Sequence, residues 1–457
     1  MSVVINGDTG ISGVNGSAGN PAIKGGDADT GIHFGTDTAA ITTGGTDKVS
    51  IDSSGDATFS GTVKTSKVEN ANTSNGGVEI DTAGHVQVDG VQMPGSGARG
   101  FKNLIINSLM RQTQRGVNHY EKTGSDYYLD RWNVHVFTMG AAIYNVERVN
   151  DAPPGFYHSQ RISVHTADAS PDANHQMFLQ QHIEGKNIQH LNFFTANPDN
   201  VTISFYVRSN RTGSYSAGLK LADNGSSFGS GDTRIYNFTY SISAANTWER
   251  KTFSLALDSA TAHTRTLNNA MGMSLLFWLS AGTSRDGATP NVWTNNGNSA
   301  TASDNLDLLT STSNNWSITG VQIELGNKAT EVEVLDTTTE QLLCRRYLQA
   351  VRSSRYMPHL IRGSNANSAS TQFYPLPVPM RSTGSGVRQD IPNLRNFNGF
   401  NSAGSTTLSD TASYIASGDG TSYKFNFSDI TNISNNELQV VANYSASHTF
   451  LIDAEIT

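Results

Sequence analysis

Chemistry needs particular side chains at particular spacings, so the acids, histidines, serines and single cysteine of this 457-residue chain come first. Hydrolysis of a glycosidic bond uses two carboxyl groups about 5 to 9.5 Å apart. Asp130 and Glu147 are the acids that could serve, but Asp130 sits in Asp130-Arg131-Trp132, where pairing with Arg131 or capping a turn beside a core Trp132 is the simpler role. His158, His165, His175, His182 and His190 recur at irregular spacings of 7 to 10 residues. They come without an HExxH pair or a companion cysteine, so neither a metal site nor a cofactor is expected. No GxSxG flanked by strand and helix occurs, and glycine turns such as GDTG lack the lysine of a phosphate loop. Cys344 falls on an apolar stripe and reads as a small core residue, not a nucleophile. The expectation is a protein that is not an enzyme.

Binding leaves a different signature. A sugar offers C–H faces that pack on aromatic rings and hydroxyls that pair with Asn, Asp and Gln, so the informative residues are aromatics in polar stretches. Asn291-Val-Trp-Thr-Asn-Asn-Gly-Asn298 places Trp293, Asn295 and Asn296 in what reads as a long polar loop. Farther on, Arg395-Asn-Phe-Asn-Gly-Phe-Asn401 presents Phe397 and Phe400 among Asn and Gly, either for a binding partner or for packing between copies of the chain. Trp278 and Trp316 lie in strand-like runs and are expected in a core.

Composition says what must position these groups. Charged residues are only 15% of the chain, against roughly 25% in an average soluble domain. Asn, Ser, Thr and Gly supply turns and edges of strands, and this pattern argues for an all-β architecture. With 31 basic against 39 acidic residues and a net charge of −8, no clustered cation is present for phosphate, so nucleic acid is not an expected partner. One cysteine excludes an intrachain disulfide framework. The N-terminal MSVVINGDTGISG lacks the basic start and apolar run of a signal peptide, and no stretch nears the roughly 18 apolar residues of a membrane helix. Synthesis in a cytoplasm without membrane insertion is expected.

Three textures follow along the chain. In the first hundred residues DKVSIDSSGDATFSG at 47–61 returns as GGVEIDTAGHVQVDG at 76–90, aligning Val49 with Val78, Ile51 with Ile80 and Gly55 with Gly84. Each copy reads as strand, Asp-initiated turn closed by Gly, and strand, leaving an apolar face that needs neighbours, which other copies of the chain could supply. After a hinge at MPGSGARG, longer alternations appear in VTISFYVRS, RKTFSLALD and ITGVQIELG, as a two-sheet sandwich requires. TTTEQLLCRRYLQAV predicts one helix, with Thr337 and Glu340 as a capping box and Leu343, Cys344, Tyr347, Leu348 and Val351 as its stripe. The last hundred residues return to β texture, with YPLPVPM confined by its prolines to an edge or arm and HLIRGSNANSAS at 359–370 as a loop.

The segments KNLIINSLMRQTQRG, YYLDRW, LQQHIEG, SFYVRS, TWERKTFSL, TGVQIELGNKAT and LLCRRYLQ, in that order over residues 101–350, resemble a module of tail fibres and tail-associated proteins of tailed bacteriophages. The repeat is similar to those of phage fibre shafts. This resemblance implies a jelly-roll sandwich related to carbohydrate-binding modules, carried as a homotrimer, with KNLIINSLM as the first strand of the sandwich. The expected organisation is an N-terminal attachment segment at 1–30, a trimeric β-repeat shaft at 31–97, the jelly-roll domain at 98–336, a connecting helix at 337–353 and a C-terminal β-sandwich tip at 354–457. Expected partners are the chain itself, phage tail, baseplate or adaptor proteins, and a host cell-surface polysaccharide or lipopolysaccharide, with the protein located on the virion tail. A polysaccharide depolymerase and a purely structural adaptor or rod stay open as alternatives.

Overall fold

A computed structural model describes side chains for residues 15–64, 78, 102–350 apart from 224–232, 296–300 and 302–304, 377–381 and 455; elsewhere it describes the backbone of strand segments. The chain divides into two compact units, Met1–Asp81 and Thr82–Thr457. Among the described residues it is β except for one α-helix and short 3-10 turns.

In the first unit a five-stranded antiparallel meander runs through β1 (Ile23–Lys24), β2 (Gly31–Gly35), β3 (Thr38–Thr43), β4 (Thr46–Ile51) and β5 (Ala57–Phe59). Its last hairpin is the first copy of the repeat. Asp52 Oδ1 accepts from Ser54 N at 2.9 Å and Asp56 N at 3.0 Å, and Gly55 takes the left-handed φ of 85° that the turn requires. The first strand of the second copy, Gly77–Ile80, pairs antiparallel with Lys67–Glu69 in this unit.

The second unit holds a jelly-roll sandwich of thirteen antiparallel strands. One sheet has six, in the order β6 (Asn118–Lys122), β9 (Ile143–Val149), β10 (Ser159–Thr166), β18 (Asn315–Leu325), β12 (Asn200–Ser209), β15 (Glu249–Ala256). The other has seven, in the order β7 (Asp126–Leu129), β8 (Trp132–Phe137), β11 (Gln176–Glu184), β16 (Met271–Ala281), β13 (Gly213–Ala222), β14 (Thr233–Ile242), β17 (Trp293–Asn295). The chain passes repeatedly from one sheet to the other, and the facing sides enclose one core. Val201, Ile203, Phe205 and Val207 all point into it and are essentially inaccessible, as their alternation predicts. Trp316 also lies there, fully buried. In β18 the alternation would put Ile318 and Val321 on opposite faces. Both are buried in the core because the register slips at Gly320, whose φ of 61° and tight approach to Tyr206 and Phe156 only glycine accommodates.

Four expectations about elements need correction. KNLIINSLM is not a strand. Asn103 Oδ1 accepts from Ile105 N at 3.0 Å and Ile323 N at 3.1 Å, and Asn107 binds Gln112 and the Asp130 carbonyl, so amide side chains take the places of ladder carbonyls and hold the segment as a turn across the sandwich end. The helix is α1 (Thr337–Arg345), capped by Asp336, which accepts from Thr339 N at 3.0 Å, and not by Thr337. Glu340, the expected return of the capping box, is instead drawn to Arg111 at 2.8 Å. The rest of the expected helix is β19 (Leu348–Ser353), because it pairs along its whole length with His448–Asp453.

HLIRGSNANSAS, expected as a loop, forms a hairpin of His359–Asn365 with Ser368–Thr371; its backbone groups pair although few of its side chains are apolar. These strands belong to one sheet whose order runs from Tyr374–Pro375 at one end to Gly404–Thr407 at the other. Tyr374–Pro375, the proline-bearing strand, thus occupies an edge, where a missing N–H costs least.

Candidate functional site

The candidate site forms where β17 adds an edge to the seven-stranded sheet. Pairing sets Tyr236 opposite Trp293 and Arg234 opposite Asn295. Trp293 is half-buried, its ring centroid 5.4 Å from that of Tyr236; Tyr236 lies 6.0 Å from Phe253, which stacks on Phe238 at 4.4 Å. The indole N–H donates to the Ala256 carbonyl at 2.9 Å, which pins the ring plane. Trp293, Tyr236 and Phe253 therefore form a partly exposed aromatic strip anchored in the core.

A polar fork lies beside the strip. Arg234 Nε donates to Asp258 Oδ2 at 2.5 Å, Nη1 to Asn295 Oδ1 at 2.8 Å and Nη2 to the Trp293 carbonyl at 3.3 Å. Asp258 is buried, held by Arg234 and by Ala260 N at 3.0 Å, while Asn295 is exposed. Burial raises the Tyr236 phenol, which stays neutral and can donate. This arrangement can stack an apolar ring face and hydrogen-bond its hydroxyls. Among the described residues its one carboxylate, Asp258, is committed to the Arg234 guanidinium.

The strip corrects the loop reading of residues 291–298: Trp293 and Asn295 lie on a strand, brought together with Arg234 and Tyr236, which the sequence did not single out. Asn296 falls outside the described residues. Phe397 and Phe400 are on strand Phe397–Asn401, paired with Gly404–Thr407 and Leu438–Asn443, and their side chains are outside the described residues.

Asp130 and Glu147 are placed apart. Asp130 is fully buried in the turn between β7 and β8, where burial raises its carboxyl and Gln114 N and Nε2 both donate to it at 2.8 Å. Glu147 belongs to the other sheet and accepts from Tyr120 at 3.2 Å. His175 is buried against the Thr138 carbonyl at 2.9 Å, and His182 against Ser274 Oγ at 2.6 Å. Among the described residues no three His, Cys, Asp or Glu side chains gather as a metal site would need. Cys344 is buried, and burial raises its thiol well above the usual range.

Sequence reasoning also missed the seven-stranded sheet's other face. Trp278, expected in the core, forms a separate cluster there with Phe178 and Leu276. Cross-strand pairing aligns Asn133, Gln180, Leu276, Gly218 and Asn237 in one row. Trp278 Nε1, Gln180 Oε1, Asn237 Oδ1 and Ser280 Oγ are buried there without a hydrogen-bond partner. Burial alone pushes Lys220 on this face down to about 7. The signal was in β16: Ser274, Leu276, Trp278 and Ser280 alternate with Met273, Leu275, Phe277 and Leu279, so two different faces are written in one strand.

Comparison with protein families and with curated proteins finds no match. Among solved structures the chain is similar to the enzymatically active domain of tailspike protein 4 of bacteriophage CBA120, at 12% identity over 49% of this chain and 21% of that one, with a TM-score of 0.26. It is also similar to a xylan-binding CBM22-1 domain from Paenibacillus barcinonensis, at 13% identity over 51% of this chain and 99% of that one, with a TM-score of 0.25. The tandem CBM22 domains of the same organism match over 79% of this chain and 98% of theirs, at 12% identity and a TM-score of 0.25. At these values no residue role is carried across.

Proposed function

We propose that this chain binds glycans without cleaving them, at the edge formed by β14 and β17. The observation that carries this reading is the partly exposed strip of Trp293, Tyr236 and Phe253 beside the Arg234 fork and the exposed Asn295. Stacking of a sugar face on pinned rings costs little ordering, and neighbouring amide and guanidinium groups select hydroxyl positions.

The finer reading is a homotrimeric phage tail fibre located on the virion tail. Its N-terminal region attaches to tail, baseplate or adaptor proteins, and its distal β domains meet a host surface polysaccharide or lipopolysaccharide. The ordered motifs between residues 101 and 350 support it. Three modest sites per fibre would raise avidity by roughly 10²- to 10⁴-fold where they engage together.

The test is adsorption of the purified full chain to host cells with and without their surface polysaccharide, alongside Trp293→Ala and an assay for released sugar. The expected result is binding only to intact cells, no released oligosaccharide, and at least about tenfold weaker binding by Trp293→Ala with its unfolding temperature preserved. Undiminished binding by Trp293→Ala would remove the edge as the site. Released oligosaccharide would make the protein a depolymerase.

A further inference from the structure

Among the described residues nothing covers one face of the five-stranded meander. Its register aligns Ile23, Ile32, Ile41, Val49 and Phe59 in a single cross-strand row. Two residues along, Phe34, Ala39, Ile51 and Ala57 form a second row on the same side, because side chains of like parity share a face. Every residue of both rows is apolar. Ile23, Ile32, Phe34, Ile41, Ile51 and Phe59 are each between 37% and 50% exposed, a run of large side chains that a folded chain does not ordinarily leave in water.

The opposite face is the closed one. Ala40 and Thr42 are buried, the Thr42 hydroxyl donates to the Asp29 carbonyl at 3.2 Å, Pro21 packs over Gly31, and His33 pairs with Asp47 at 2.7 Å. The sheet thus already has a cover on its polar side and lacks one on its apolar side.

We infer that this apolar face is the self-association surface of the chain, and that its occupant is the same face of further copies. Three observations select that occupant. The two rows contain no charge and no side-chain hydrogen-bonding group, so a partner recognised by charge or polar pairing has nothing to grip, whereas an apolar copy of the same surface is complementary to it. Five strands about 4.8 Å apart, the longest of six residues at about 3.3 Å each, make a face of about 24 by 20 Å, too small alone for the roughly 800 Å² that each partner gives a stable interface. The contact must continue along the chain, and the repeat provides that continuation: 29 residues after the half-buried Val49, Val78 is 43% exposed on strand Gly77–Ile80. A partner must carry an apolar stripe with the same repeat, which another copy does by construction. This inference rests on the proposed self-association of the chain and deepens it by naming the surface; it does not depend on the glycan reading.

The test uses the full chain and three proteins: wild type, Ile41→Lys/Phe59→Lys on the apolar face, and Thr58→Lys on the other face of the same strand. Mass is read by light scattering, and folding by circular dichroism and thermal unfolding. The expected result is a wild-type mass that is a multiple of 49.0 kDa, the same multiple for Thr58→Lys, and 49.0 kDa for the double variant with its β spectrum retained. An assembled double variant would overturn the surface while leaving self-association standing, and a wild type of 49.0 kDa would overturn both. Because lysines could unfold the meander, Ile41→Cys and Thr58→Cys provide a second measurement under mild oxidation. A covalent dimer for Ile41→Cys but not for Thr58→Cys supports the surface, and the reverse overturns it.

Discussion

The sandwich and the N-terminal meander use the same local grammar, an antiparallel strand with alternating apolar residues, and reach opposite ends. In the sandwich two sheets face each other, so Val201, Ile203, Trp132 and Trp316 lose their water inside one chain. In the meander the matching row of Ile32, Ile41 and Phe59 stays exposed. One alternation closes a core within a molecule and the other leaves its apolar row exposed, on the face proposed above for self-association. The difference lies in the number of sheets available, not in the pattern within a strand.

Five variants would break or sharpen that contrast. The largest effect is expected for Trp132→Ala, which empties a fully buried site and removes the indole donor to the Asn107 carbonyl at 3.1 Å. Denaturant unfolding should show the sandwich losing about 3–5 kcal/mol. Ile41→Ala, at a residue 48% exposed, should move the unfolding of dissociated protein by less than about 1 kcal/mol while weakening assembly. Equal losses at the two sites would mean that the meander face is covered within its own chain.

A smaller effect concerns Lys220. Burial holds its ammonium at about 7 in the folded state against 10.5 for the free side chain, so between these values the unfolded chain binds the extra proton. Stability should therefore rise as pH increases through about 7 to 10.5, and Lys220→Met should flatten that part of the profile, read as unfolding midpoint against pH. An unchanged slope in the variant would show that Lys220 is solvated.

The smallest is Asp336→Ala at the start of α1. Loss of the cap on Thr339 N should lower the unfolding midpoint slightly, and Thr337→Ala less still, since Thr337 is not the cap. The opposite ranking would restore the capping box expected from the sequence.

Much of the sandwich was legible because strand alternation is a local property. The runs at 201–207 and 253–257 place their residues as read, and so does the Asp52–Gly55 turn, where side chain and φ preference act within five residues. What escaped depended on partners distant in sequence. Leu348–Ser353 has a helical stripe but becomes a strand because His448–Asp453 pairs with it. KNLIINSLM has the composition of a strand but is held by Asn103 and Asn107 reaching groups more than 200 residues away and across the Asp130 turn. Trp293 looked like a loop tryptophan until β14 offered it an edge.

Glu455 shows the same limit. Nothing near it marks it, yet it is buried against Arg131, whose guanidinium also lies 3.4 Å over the Tyr347 ring, while Arg381 Nη2 donates to the Glu455 carbonyl at 2.9 Å. Arg131 is held charged in spite of its burial by that carboxylate. A buried ion pair of this kind is set by which two ends of the chain meet, and single-residue chemistry does not announce it.

By itself the sequence determined that the protein is built of strands and that a repeat governs its first hundred residues, and it pointed to aromatics in Asn-rich surroundings as candidate binding residues. Each of these follows from side-chain periodicity, turn chemistry or residue type, which act over a few residues. Only the tertiary structure decided that β18, late in the chain, sits between β10 and β12, that Trp293 joins Tyr236 on an edge, and which apolar face is closed and which is left open. Those outcomes depend on strands far apart in sequence finding a common sheet, where the burial of their combined faces, and not any local preference, offsets the entropy of bringing them together.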